Sequence, residues 1–159
     1  MGRNKFAVVM ILALFAGLVL ANGVFAQSAD ELGKTIADIH LESMKKVNEL
    51  MKDRPAAQDL TPKVASLKEE TIKKLVELGK KVQSLDQAGK KKVELKVSMA
   101  FSSMPADVFK AYSEGQQFYM KTDNNLAKLI SSFNIITQYA FFDLLKKQEP
   151  QEAERLGIK

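Results

Sequence analysis

Apolar residues recur along most of this chain at spacings of three and four, the mark of helices that bury one face. The pattern opens at Ser28-Ala-Asp-Glu31, where a serine and a glutamate three residues later form a capping box. Ile36, His40, Met44, Val47 and Met51 then share one side of a first predicted helix. It should end near Asp53, because Pro55 disfavours a helical residue before it. Asp59-Leu-Thr-Pro62 opens a second helix, with Thr61 as N-cap and Pro62 at the first helical position, where its missing N–H costs nothing. The seam of that helix is Val64, Leu67, Thr71, Leu75, Leu78, Val82 and Leu85. Its spacing is close to a heptad and fits a neighbour in the same chain and a second copy equally well.

The third segment is capped by Asp86 and runs to about Ser102. Val93, Leu95, Val97, Met99 and Phe101 alternate with polar residues there, which is strand periodicity. A lone strand has no partner elsewhere in the chain, so context predicts helix. Ser103-Met-Pro105 starts a fourth helix, with Val108, Phe109, Tyr112 and Tyr119 on one side. Thr122 or Asp123 caps a fifth, predicted as one element from Leu126 to about Lys147. Apolar residues surround it almost completely, which places it at the centre of the bundle. Lys128, Asn134, Gln138 and Asp143 interrupt it and argue against a membrane span. Lys146 and Lys147 suit a helix C-terminus, and Pro150 opens a short polar tail. The expected fold is all-α: an up-and-down bundle of four to five helices over 27–148, with a tail over 149–159.

The first residues follow another pattern. Arg3 and Lys5 precede the unbroken apolar run Phe6–Ala21, and Val24-Phe25-Ala26 places small residues where a signal peptidase would cut. Residues 1–26 therefore read as a signal peptide cleaved after Ala26. An uncleaved anchor is the rival, and the small-residue site speaks against it. Loss of Arg3 and Lys5 lowers the formal net charge from +5 to +3. The chain has no cysteine, so neither a lipid-modified N-terminus nor a disulfide is available. No Asn begins an Asn-x-Ser/Thr sequon, and the expected setting is the periplasm or exterior of a bacterial cell.

Composition divides the remainder. Between Gln27 and Ala100 there is no Phe, Tyr or Trp, whereas rings are frequent from Phe101 onward. A short echo links Glu42–Lys52 to Glu70–Lys80, with six of eleven positions identical. It is better explained by two charged amphipathic helices than by a repeat.

The chemistry is marked by absences. Without cysteine there is no thiol nucleophile, no haem attachment motif and no thiolate zinc site. One histidine excludes His-Glu-x-x-His, and no phosphate-binding glycine pattern occurs. The expectation is a protein that is not an enzyme and needs no cofactor. His40 could ligate haem with a methionine from another helix, but one histidine on an apolar face reads first as a boundary residue satisfied by a neighbour.

Two binding candidates remain. Lys63 to Lys96 holds ten basic and five acidic residues. Glu69, Glu70 and Glu77 stand four residues before Lys73, Lys74 and Lys81, the favourable orientation for pairing on a helix. Lys90, Lys91 and Lys92 lack such partners and form a candidate site for an anionic surface or partner. No aromatics interleave the lysines, which argues against a nucleic-acid platform. The second candidate is an apolar-ligand lining from Phe109, Tyr112, Phe133, Tyr139 and Phe142, residues that would equally fill a dry core. The functional expectation is an exported, non-catalytic helical protein that binds a protein or envelope component. A carrier of a small apolar ligand or lipid in the aromatic half is the alternative.

Overall fold

A computed structural model describes residues 27–159. The predicted leader and its cleavage point lie outside the described residues. Within them every regular element is a helix: α1 (Ala29–Met51), α2 (Ala57–Gln83), α3 (Gln87–Ser102), α4 (Ala106–Thr122), α5 (Asn124–Ser131), a 3-10 helix (Ser132–Ala140), α6 (Phe142–Gln148) and α7 (Pro150–Arg155). Seven α-helices and a 3-10 helix replace the expected four to five. No described helix is long and apolar enough to cross a membrane.

The capping box forms as predicted. Ser28 Oγ accepts from the Glu31 amide at 3.2 Å, and Glu31 Oε2 accepts from the Ser28 amide at 2.9 Å. The predicted face of α1 is buried from Leu32 to Met51. Arg54 closes the turn at φ 48°, a conformation in which a side chain is strained, and its guanidinium lies 4.9 Å over the Phe118 ring. Tyr119 donates to the Pro55 carbonyl at 2.8 Å, so α4 fastens the turn that launches α2.

That second helix starts five residues earlier than the sequence suggested. Ala56 is its N-cap, and Pro62 lies inside it. Proline there removes the bond that would otherwise reach the Gln58 carbonyl. The Thr61 hydroxyl, instead of capping, donates back to the Ala57 carbonyl at 2.7 Å. Glu42 faces Lys74 and Lys46 faces Glu70, so α2 runs antiparallel to α1.

Asp86 caps α3 by accepting from the Gly89 amide at 2.7 Å. Val93 and Val97 are buried, whereas Leu95 and Met99 are 61% and 60% exposed. The strand-like alternation thus belongs to a helix with apolar residues on two sides. Lys92 meets Asp30, and Phe101 meets His40, so α3 follows the first half of α1 in the same sense. Asn48 donates to the Val108 carbonyl, and Met51 packs at Gly115, so α4 continues along the second half. α1 contacts α2, α3, α4 and the 3-10 helix, and it holds the central position predicted for the last helix.

The predicted Leu126–Lys147 helix is three elements. Asp123 caps α5 at the Leu126 amide, 2.9 Å away. From Ser132 the chain tightens to a 3-10 helix of nine residues, long for a form with poorer hydrogen-bond geometry. Its period of three matches the sequence: Phe133, Ile136 and Tyr139 form one straight buried row. α6 then lays Phe142 on Gly79 of α2. The expected polar tail instead carries α7, where Ala153 is buried and Leu156 and Ile158 pack on the core.

Candidate functional site

The ring residues proposed as a ligand lining do not come together. Tyr112, Phe133 and Tyr139 are core residues, Phe109 is exposed on α4, and Phe142 is half-buried against Gly79. Tyr112 donates to the Ile130 carbonyl at 2.5 Å, and burial raises its hydroxyl pKa.

The lysine triplet is divided between two surfaces. Lys92 pairs with Asp30 of α1 at 2.5 Å, and Lys90 lies 3.8 Å from Asp143 of α6. Both tie α3 to its neighbours. Lys91 makes no ion pair among the described residues. The pairing expected within α2 is also redirected. Glu77 meets Lys80 rather than Lys81, and Glu69 faces Arg155 of α7 rather than Lys73.

His40 is 3% exposed, with its ring stacked on Phe101 at 5.4 Å. Its Nε2 lies 3.1 Å from the Phe133 carbonyl oxygen, which can only accept, so Nε2 carries the proton and donates. Loss of hydration on burial lowers its pKa, and the carbonyl bond opposes this in part. The neighbour foreseen for this histidine is thus a backbone carbonyl far along the chain.

A polar cavity of about 460 Å³ lies between α2, the 3-10 helix and α7. Tyr139 donates to Glu152 Oε1 at 3.0 Å, and Arg155 holds Glu152 at 2.7 Å. The Arg155 hydrogen bond lowers the Glu152 pKa, and burial, followed by the bond to Glu152, raises that of Tyr139. These groups largely satisfy one another and hold α7 to the 3-10 helix, while Arg155 also reaches Glu69 of α2 at 3.3 Å.

Three exposed apolar residues meet at another opening. Between α3 and the 3-10 helix with α6 runs an open groove of about 520 Å³. Val97, Ser98, Phe101 and Ser102 form one wall; Ile135, Gln138, Phe141 and Leu144 form the other. Three-fold geometry aligns Ile135 and Gln138 on one side of the 3-10 helix, next to the buried row, and Phe141 follows just past its end. Ile135 is 53% exposed, Phe101 44% and Leu144 42%, so the groove is lined with apolar surface left open to solvent. Gln138, 6% exposed, borders both this groove and the polar cavity beside α7, and its Oε1 is buried without a hydrogen-bond partner. Sequence reasoning missed this site because the rows at Phe133 and Ile135 merge into a helix that looks apolar all round. The signal that could have found it is the i, i+3, i+6 repeat.

A comparison with protein-family models, with curated proteins and with solved structures finds no match to this chain.

Proposed function

We propose that this chain is an exported, non-catalytic helical protein that works by docking a partner in the groove between α3 and the 3-10 helix with α6. The observation that carries this reading is the set of open apolar side chains there: Phe101, Ile135 and Leu144. Water contact with such a cluster is unfavourable, and contiguous exposed apolar surface of this kind is characteristic of binding faces. The exported location rests on the leader pattern at 1–26.

A photo-crosslinking side chain placed at Ile135, compared with one at Lys63 on the outer face of α2, tests the docking surface in the native host. A discrete adduct from position 135 alone is expected. Equal or absent crosslinking at both would refute the docking role. Terminal sequencing of the same purified protein tests export, for which a chain beginning at Gln27 is expected.

The volume of the groove also falls within the range of small-molecule sites, roughly 300–1,000 Å³, which favours the carrier as the second reading. Native mass spectrometry separates the two: a bound small molecule supports the carrier, and a co-purifying polypeptide supports the docking protein.

A further inference from the structure

We infer that a second cavity, beside His40, binds a small uncharged aromatic molecule bearing one O–H or N–H donor, which His40 Nδ1 accepts. This site does not depend on a partner docking in the groove.

The cavity, about 280 Å³, lies between the middle of α1, the end of α3 and the link to α4. That is just below the range of drug-sized sites, roughly 300–1,000 Å³, and suits a molecule of one or two rings. Leu41 of α1 with Val97 and Ala100 of α3 make its walls apolar. Phe101 and Met104 add a ring and a thioether, both of which pack favourably on an aromatic guest.

His40 is the polar group held deepest in this lining, 3% exposed. Its Nε2–H is committed to the Phe133 carbonyl at 3.1 Å, and its ring is stacked on Phe101. An imidazole with its proton on Nε2 carries a lone pair on Nδ1. Burial lowers the His40 pKa and so favours this neutral form. Nδ1 has no hydrogen-bond partner among the described residues. The unpartnered side-chain atoms that are sealed from solvent are Asn48 Oδ1 and Gln138 Oε1, and His40 Nδ1 is not one of them. Access to it is through the cavity that His40 borders. A buried acceptor, fixed in orientation and left open, is completed by a guest that brings a donor.

The rest of the lining restricts the charge of that guest. The Ser103 hydroxyl donates to the Ala100 carbonyl at 3.1 Å, and the Ser103 and Met104 amides are bonded to the last carbonyls of α3. None of these donors is left for a carboxylate or a phosphate. Asp38, exposed at the edge, is paired with Lys34 at 2.5 Å, so little net charge draws in an ammonium. An ion taken in unpaired against apolar walls loses its hydration without return. A metal ion lacks a ligand set, since no group of three His, Asp or Glu side chains able to hold one occurs among the described residues.

His40 is the only histidine of the chain, so in untagged, isotope-labelled protein the imidazole nitrogen resonances report on this site alone. The probes are phenol and indole, each compared with its methylated form, anisole or N-methylindole, which keeps the rings and loses the donor. Phenol or indole should move the Nδ1 resonance while Nε2 keeps its proton. Each should bind roughly tenfold tighter than its methylated form, the difference expected for one hydrogen bond. Ala100→Leu, half-buried on the cavity wall, should abolish the response while the far-UV circular dichroism stays that of the wild type. Equal binding of the methylated forms would reveal an apolar hole that recognises no donor and would overturn the inference. An Nδ1 resonance that neither phenol nor indole moves at millimolar concentration would overturn it too, as would one that responds to zinc and to no organic probe.

Discussion

A methyl group added at Gly79 would stand 2.4 Å from Cε1 and 2.8 Å from Cζ of Phe142, closer than side-chain atoms approach. Two opposing effects follow in Gly79→Ala. Alanine is favoured over glycine inside a helix by about 1 kcal/mol. Overpacking a filled contact costs about 1–3 kcal/mol, because the Phe142 ring must leave its seat and draw α6 with it. The net expectation is destabilisation of roughly 1 kcal/mol, a fall in melting temperature of about 3–5 °C for a domain of this size. Urea unfolding followed by far-UV circular dichroism measures it. The decisive comparison is a double-mutant cycle with Phe142→Ala. Once the ring is gone, the same glycine-to-alanine change should become stabilising by up to about 1 kcal/mol, a coupling of about 1–3 kcal/mol. If Gly79→Ala stabilises the otherwise wild-type protein, Phe142 does not rest on that glycine and the placement of α6 on α2 is refuted.

Protonation of His40 should destabilise the fold. Its native pKa lies below the unfolded value of 6.5, so its contribution is complete above pH 6.5 and is lost as pH falls through the native pKa. His40→Gln should flatten urea midpoints measured against pH in that acid range; an unchanged profile would show that another group governs it. Phe133→Ala should cost about 3–5 kcal/mol in the same unfolding assay, since the ring is fully buried in the row that anchors the 3-10 helix. Truncation after Glu149 should lower stability by about 2–4 kcal/mol through loss of the buried Ala153 and the packed Leu156 and Ile158; a change within about 0.5 kcal/mol would mean α7 is not docked. By contrast Leu95→Lys with Met99→Lys should leave stability within about 0.5 kcal/mol, because both side chains face water.

Local signals were legible where side chains act on their own backbone. Ser28 with Glu31, Asp86 and Asp123 each cap the helix their position announced. The buried stripe of α1 and most of the α2 seam followed from periodicity alone. Errors arose where a tertiary contact overrode a local preference. Pro62 looked like a helix start, yet buried Leu60 draws the preceding turn into the helix. Glu69 seemed paired to Lys73, but Arg155, distant in sequence, reaches it across α7. The groove depends on which walls α3 and the 3-10 helix turn toward each other. Exposed Leu95, Met99 and Ile135 are indistinguishable from core residues until the packing partners are known. Lys91 and Lys92, adjacent in sequence, separate because successive helical positions point 100° apart.

The nine-residue 3-10 segment has a mechanical consequence. At about 2.0 Å per residue it reaches about 18 Å, whereas the same residues wound as an α-helix would reach about 13.5 Å. Rewinding would therefore retract whatever follows it by about 4–5 Å, enough to lift the Phe142 ring from its glycine seat. It would also skew the row Phe133, Ile136, Tyr139 by about 60° per step, because residues three apart no longer eclipse in an α-helix. The anchoring of one helix and the straightness of the buried row thus depend on a single choice of backbone pitch, made over fewer than a dozen residues.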